Sequence, residues 1–140
     1  MNVLTIGTFD ILHFGHIGFL QQCRKLAGPG GGVMVGVNSD KFAGSFKEPP
    51  VMDQDERLHA IRQLGYSADL NTGPGREFIQ RHIPNLIAVG SDWAAKDYLA
   101  QIGADQDWLD TRRIILAYVP RVQVMPMSTT EIRRRITDAG

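Results

Sequence analysis

The sequence is poor in cysteine, in net charge and in long apolar runs. Its 140 residues include one cysteine, Cys23, so no disulfide forms within the chain and a reducing compartment is favoured. Fifteen Lys and Arg residues balance fifteen Asp and Glu residues, which leaves no overall charge to attract nucleic acid or a membrane surface. No apolar run approaches the roughly 18 residues that a membrane helix needs, and Met1–Ile6 lacks the cationic start of a signal peptide. We therefore expect a soluble cytoplasmic protein with no nucleic-acid or membrane partner.

Short apolar runs rich in β-branched residues alternate with helical patterns along the chain. The strand-like runs are Asn2–Ile6, Val33–Val37, Ala68–Asn71, Leu86–Val89 and Ile114–Val119. Helices are predicted at about 15–27, after the capping-box pair Asp53 and Glu56, and at 77–82, 96–102, 107–113 and 128–138. Glycine and proline in residues 38–52 favour an exposed loop there.

This alternation predicts βαβ units in one domain over residues 1–140. The expected fold class is α/β, a Rossmann-like α/β/α sandwich with a mostly parallel five-stranded sheet. Ligands in such sheets bind beyond the carboxyl ends of the strands. Four segments should therefore share one rim: 7–16, 38–52, 90–96 and 120–130.

The first strand is followed by Gly7-Thr8-Phe9-Asp10-Ile11-Leu12-His13-Phe14-Gly15-His16. Its glycines let a phosphate approach the strand end and the helix start, where free N–H groups favour an anion. His13 and His16 are three residues apart and lie on one face of a helix start. Two imidazoles there suit hydrogen bonding to a phosphate that gains charge during transfer. The alternative is two unrelated histidines, one capping the helix and one on its surface. Two histidines without further ligands do not make a zinc site.

The ten-residue string resembles the signature of the H-x-G-H nucleotidyltransferase superfamily. Within it the chain is similar to the bacterial glycerol-3-phosphate cytidylyltransferases and to the sugar-phosphate adenylyltransferase domains of heptose biosynthesis. The resemblance implies catalysis by His13 and His16, with Asp10 contacting the substrate. It also implies nucleotide contacts in the string and in later blocks, at Gly7, Thr8, Phe9, Gly15, Asp92, Trp93, Arg121, Met127, Ser128, Thr129 and Thr130.

Two basic residues outside the string are implied by the same resemblance. Lys47 would reach the substrate and the triphosphate in a catalytic role, and a point charge on a loop suits a lid over phosphates. A solvated surface lysine is the alternative, because lysines are mostly exposed. Arg76 stands near the place where relatives keep a substrate-binding lysine, and the resemblance implies that it binds substrate.

The later blocks also have plainer explanations. Gly90–Leu99 resembles a Gly-Asp-Asp-Trp block of the cytidylyltransferases, in which Asp92 would accept from a ribose hydroxyl or base amino group. A helix N-cap followed by a core tryptophan is the alternative. Met127–Ile132 matches an Ile-Ser-Thr-Thr-x-Ile block, whose serine also starts a capping box. Arg121 resembles an arginine that clamps the outer phosphates.

The expected reaction transfers CMP from CTP to a small phosphorylated acceptor, glycerol 3-phosphate or a similar polyol or sugar phosphate, and releases pyrophosphate. Mg²⁺ would accompany the triphosphate as cofactor, without a dedicated metal site on the protein. One alternative is an ATP-dependent adenylyltransferase acting on a sugar 1-phosphate or cofactor precursor. Another is a non-catalytic nucleotide-binding module. The resemblance also implies a homodimer.

Overall fold

The computed structural model describes residues 1–120 and Arg134. Within these residues five strands form the sheet: β1 (Asn2–Gly7), β2 (Gly32–Asn38), β3 (Ser67–Asn71), β4 (Leu86–Gly90) and β5 (Ile115–Val119). The helices of the same range are α1 (Phe14–Ala27), α2 (Asp40–Ala43), α3 (Gln54–Gln63), α4 (Arg76–His82), a 3₁₀ helix (Ser91–Ala95), α5 (Tyr98–Ile102) and α6 (Gln106–Thr111). None of these described helices is long and apolar enough to cross a bilayer. The helix predicted at 128–138 lies outside the described residues.

The strand order puts β1 at the centre of the sheet. From edge to edge the order is β3-β2-β1-β4-β5, and every neighbouring pair in this described sheet is parallel. The chain runs outward from β1 to β3 and then crosses back to β4 on the other side of β1. The order therefore reverses between β1 and β4, which is where a ligand crevice is expected in a sheet of this kind.

Helices cover both faces of the sheet. Successive residues of β1 point to opposite faces, so that Val3 joins the core cluster of Cys23 while Leu4 joins that of Ile79. The cluster around Leu4 is made with α4, α5 and α6, and the clusters on the other face are made with α1 and α3. Burial on both faces explains why the strands read as continuous apolar runs. The predicted α/β/α sandwich with a parallel five-stranded sheet is confirmed.

The prediction of an exposed loop over residues 38–52 is wrong in its first part. β2 runs to Asn38, and α2 follows at once with Ser39 as its N-cap. Both residues are buried, and the exposed stretch shrinks to residues 44–49. The cause is tertiary: the Ser39 N–H donates to the carbonyl of Asn71, at the end of β3, at 2.9 Å. This bond holds the turn against the sheet.

The capping box predicted at Asp53 and Glu56 is confirmed. The Asp53 carboxylate accepts from the Glu56 N–H at 2.8 Å, and the Glu56 carboxylate accepts from the Asp53 N–H at 3.3 Å. These two bonds satisfy backbone donors at the helix start and mark where α3 begins.

Candidate functional site

The chain leaves β1 through a turn with two strained residues. Phe9 and Ile11 have φ angles of 53° and 51°, in the left-handed region that residues with side chains rarely adopt. Such positions cost about 1–3 kcal/mol each and persist only where their surroundings enforce them. Between them, the buried Asp10 carboxylate accepts the N–H groups of Val51 and Met52 at 2.8 and 3.0 Å. A segment far along the chain therefore fixes the shape of this turn.

Gly7 makes room for the ring of Phe9. A Cβ at Gly7 would lie 2.9 Å from that ring. The ring is buried in the cluster of Leu20 and Val35, and its centroid lies 5.7 Å from that of His16. The glycine thus lets an aromatic ring fold back over the end of β1, beside the histidine pair. Its predicted contact with nucleotide stays a prediction.

His13 and His16 form a stacked pair at the start of α1. Their ring centroids are 3.9 Å apart with an angle of 27° between the ring planes. His13 is the N-cap, and its Nδ1 accepts from the Gly15 N–H at 3.0 Å. The Nδ1 of His16 accepts from the His13 N–H at 3.4 Å. Because both Nδ1 atoms accept hydrogen bonds, each neutral ring carries its proton on Nε2. Capping by His13 is therefore confirmed, and it is compatible with the functional explanation, which stays a prediction.

A cleft of about 350 Å³ opens between the carboxyl ends of β1 and β4. It brings together most of the predicted site residues that the structure describes. Those lining it are Gly7, Thr8, Phe9, His13, Gly15, His16, Asp92 and Trp93. The strand order makes this possible, because β1 and β4 are neighbours in the sheet although more than seventy residues separate them. Their common lining of one cleft is what the sequence predicted for this rim.

The β4 side of the cleft is a short 3₁₀ helix with Gly90 as its N-cap, so the explanation of Asp92 as the N-cap is wrong. Asp92 is exposed, and a Cβ at Gly90 would lie 2.6 Å from its carboxylate. The Asp92 carboxylate therefore lies over the backbone of Gly90, in the space that a side chain would fill. Trp93 is half-buried and packs edge-on against Tyr98, with ring centroids 5.3 Å apart.

Two predicted basic residues lie away from this lining. Lys47 is in the exposed stretch, with its Nζ 5.6 Å from the centroid of the Phe46 ring. The guanidinium of Arg76 lies 5.4 Å from the Trp108 ring and donates to the Gly103 carbonyl at 3.5 Å, in a separate groove. Both predicted roles stay predictions. The remaining predicted residues lie outside the described range: Arg121, Met127, Ser128, Thr129 and Thr130.

Sequence reasoning missed Arg57. This residue of α3 is fully buried, and its guanidinium donates to three backbone carbonyls and to the Asp40 carboxylate. One of those carbonyls belongs to Thr8, at 2.7 Å, within the turn that follows β1. The signal for it in the sequence is spacing: Arg57 stands four residues before Ile61 and so shares its buried face.

A chain of buried polar side chains was also missed. The Asn71 amide donates to the Asn38 side-chain oxygen at 2.9 Å, and the Asn38 amide donates to the Thr8 hydroxyl at 3.3 Å. These residues stand at the ends of β3, β2 and β1, so this series of side-chain hydrogen bonds ties the three strand ends together beside the cleft. No group of three or more His, Cys, Asp or Glu side chains in the described part of the protein is placed to hold a metal ion.

The fold and the cleft together define a class of protein, one with a parallel α/β sheet and a histidine-capped helix start at the point where the strand order reverses. The sequence of residues 4–135 matches the family described as cytidylyltransferase-like. Since the match covers nearly the whole chain, the protein belongs to this family, which is part of the nucleotidyltransferase superfamily. The membership predicted from the Gly7–His16 string is confirmed.

Individual relatives are roughly a third identical to this chain over the residues that align with it. It is 32% identical over 93 residues to an FAD synthase of Methanopyrus kandleri, a match that covers 64% of this chain and 62% of the relative. It is 30% identical over 105 residues to an ethanolamine-phosphate cytidylyltransferase of Dictyostelium discoideum, with 75% and 28% covered. The chain thus spans less than two thirds of the length of either protein.

Among solved structures, the chain resembles a lipopolysaccharide core biosynthesis protein from Thermoplasma volcanium. The two superpose with a TM-score of 0.70 at 27% sequence identity, over 89% of this chain and 98% of the other. The likeness extends the fold assignment over most of the chain.

Proposed function

We propose that this protein transfers a nucleotidyl group from a nucleoside triphosphate to a small phosphorylated acceptor and releases pyrophosphate. The observation that carries the proposal is the stacked pair of His13 and His16, whose Nδ1 atoms both accept backbone N–H groups. Two neutral rings then offer Nε2–H donors at a helix N-terminus, a place that stabilises phosphate. Membership of the nucleotidyltransferase superfamily supports this reaction class.

In the proposed reaction an acceptor phosphate oxygen attacks the α-phosphorus in line. A bond forms between that oxygen and the α-phosphorus while the bond to the bridging oxygen of pyrophosphate breaks. His13 and His16 donate hydrogen bonds to the α-phosphate and the bridging oxygen as negative charge develops there. No protein nucleophile is needed. Cys23 does not suit such a role, because burial raises the pKa of its thiol to about 12 and keeps it protonated.

Other residues have supporting roles in this proposal. Asp92 and Trp93 line the same cleft and suit contact with the base and ribose. Lys47 would approach the triphosphate from the exposed stretch 44–49, and Arg121 with residues 127–130 would hold its outer phosphates. Arg76, which packs on the Trp108 ring outside the cleft, has less support as a substrate contact.

Mg²⁺ is proposed to enter with the triphosphate and to neutralise charge on its phosphates. This ion is commonly held by substrate phosphates, water and one or two carboxylates. Asp92 is a carboxylate of the cleft lining. The homodimer and the cytoplasmic location stay predictions from the sequence.

In this proposal the nucleotide is CTP and the acceptor is a polyol or sugar phosphate. The similarity of Gly90–Leu99 to the cytidylyltransferase block supports CTP, as does the ethanolamine-phosphate cytidylyltransferase among the relatives. ATP is the second candidate, favoured by the FAD synthase, whose product contains an adenylyl group. A non-catalytic module is less favoured, because such a module would not need the complete histidine pair.

A pyrophosphate-release assay tests the proposal. CTP, ATP, GTP and UTP with Mg²⁺ are each combined with glycerol 3-phosphate, ethanolamine phosphate, a sugar 1-phosphate and flavin mononucleotide. We expect release with CTP and a polyol or sugar phosphate, whereas release with ATP alone would establish the second candidate. Nucleotide-dependent thermal shifts without release from any pair would indicate a binding module instead.

A further inference from the structure

The loop that carries Lys47 is closed at its base by one side chain, Arg57. At the start of the loop, Nη2 of Arg57 pairs with the Asp40 carboxylate at 2.8 Å. At its end, Nε of Arg57 donates to the Met52 carbonyl at 3.0 Å. Both ends of residues 41–51, which comprise the rest of α2 and the stretch that carries Lys47 and are called loop 41–51, therefore meet on a single buried guanidinium.

The same guanidinium holds the turn that leads into the cleft. Its Nη1 donates to the carbonyls of Thr8 and Asn38, at 2.7 and 2.8 Å. From the other side of this contact, the Asp10 carboxylate accepts the N–H groups of Val51 and Met52. Loop and turn are thus joined twice, by a cation that reaches carbonyls and by a carboxylate that reaches N–H groups.

Core packing alone does not account for an arginine at this position. An apolar side chain of similar volume would fill the buried face of α3 without the cost of removing a charge from water. The guanidinium has five N–H donors in a fixed plane, which lets one residue serve several acceptors in different directions. Here those acceptors belong to three separate segments: the turn after β1, the end of β2 with Asp40, and the end of the loop at Met52.

We propose that Arg57 is a positioning residue for the transfer reaction, holding both ends of loop 41–51 against the Gly7–His16 turn so that Lys47 approaches the triphosphate. The inference rests on the proposed function. Arg57 contacts no substrate in this role and acts only through the loop.

Asp40→Asn is the variant that tests the role in the reaction. It removes the charge of the ion pair but keeps an acceptor oxygen, and the Asp40 side chain is 46% exposed, so the fold should tolerate it. Asp105→Asn is the matched control, because it alters a carboxylate that caps α6 away from the cleft. We expect Asp40→Asn to lower kcat/KM about tenfold in the wild-type background. In the Lys47→Ala background the same substitution should lower kcat/KM less than about twofold, because Asp40 and Lys47 would act through one loop. An equal loss in both backgrounds would show a merely structural role and overturn the proposal.

Hydrogen exchange of the Val51 and Met52 amides tests the anchoring without any substrate. Both amides should exchange several-fold faster in Asp40→Asn than in the wild-type protein and at the wild-type rate in Asp105→Asn. Unchanged exchange in Asp40→Asn overturns the anchoring itself. Absence of turnover in the wild-type protein overturns the proposed function, and the role of Arg57 in the reaction with it, so the two failures are distinguishable.

Discussion

The two strand ends that form the cleft are held in different ways. At the end of β1, the bonds from Asp10 to Val51 and Met52 span 41 and 42 residues, and the bond from Arg57 to Thr8 spans 49. At the end of β4, the contacts join close neighbours in sequence: the Lys96 N–H donates to the Trp93 carbonyl, and Trp93 packs on Tyr98. The first end is held by hydrogen bonds between segments far apart in the sequence, whereas at the second a short-range hydrogen bond is joined by packing of Trp93 against the core cluster of Leu4 and Phe78. A substitution that crowds the first end should therefore lower stability, and one that displaces Asp92 at the second should lower affinity for nucleotide.

The largest expected effect is on catalysis, at the histidine pair of the β1 end. His16→Ala removes a donor aimed at charge that develops during transfer, so kcat should fall about 10²- to 10³-fold. The circular dichroism spectrum should stay that of the wild-type protein. His59→Ala, on the exposed face of α3, is the matched control and should keep full turnover. Wild-type turnover by His16→Ala would contradict the assigned role.

The next effect is on stability, at Gly7. A Cβ there would lie 2.9 Å from the ring of Phe9, which is buried in the cluster of Leu20 and Val35. Gly7→Ala should lower the free energy of unfolding by about 1–3 kcal/mol, as overpacking does. Urea denaturation followed by tryptophan fluorescence measures this loss. An unchanged midpoint would mean that the β1 end is less constrained than its long-range bonds suggest.

Gly90→Ala is the corresponding change at the β4 end and should act differently. The new Cβ would meet the Asp92 carboxylate, the end of an exposed side chain, which a change of rotamer would move away. The free energy of unfolding should change by less than about 0.5 kcal/mol, as is usual for surface substitutions. Nucleotide affinity, measured by calorimetry, should fall about three- to tenfold because the carboxylate has left its place in the cleft. A stability loss as large as that of Gly7→Ala would refute the contrast between the two ends.

The smallest effect concerns strain, and compares two isoleucines with left-handed backbone. Ile83 ends α4 with φ 45° and is 75% exposed, while Ile11 lies in the turn after β1 with φ 51°. Glycine at Ile83 should stabilise the protein by about 0.5–1 kcal/mol, because glycine adopts this conformation without strain. Its turnover should match that of the wild-type protein. Ile11→Gly relieves the same strain but loosens the turn beside His13, so its turnover should fall; equal turnover in both variants would argue that the strain has no part in the site.

Local sequence patterns were enough to predict most of the strands and helices and the β1 side of the cleft. The strand runs are apolar because both faces of the sheet are buried, and the pair Asp53 and Glu56 marks a helix start wherever it occurs. The histidine spacing placed both rings at one helix start. Parallel strands also required that the segments after β1 and β4 share a rim.

Other features depended on contacts that no local pattern records. The order β3-β2-β1-β4-β5 decides that the 3₁₀ helix lies beside the Gly7–His16 turn, and that Arg76 faces Trp108 instead. Residues 38–43 form a strand end and a helix where a loop was predicted, because the Ser39 N–H bonds to the Asn71 carbonyl on another strand. Arg57 was not singled out from the sequence, and its burial follows from acceptors supplied by three separate segments.

The amino-acid sequence by itself determined the alternation of strands and helices and the chemistry at the first strand end, because both depend on residues a few positions apart. The tertiary structure alone decided which strand ends are neighbours, which residues line one cleft, and what holds the loop of Lys47. These depend on hydrogen bonds and packing whose partners are brought close only when the sheet assembles. The sequence alone does not show which acceptor a given backbone N–H or guanidinium will bind.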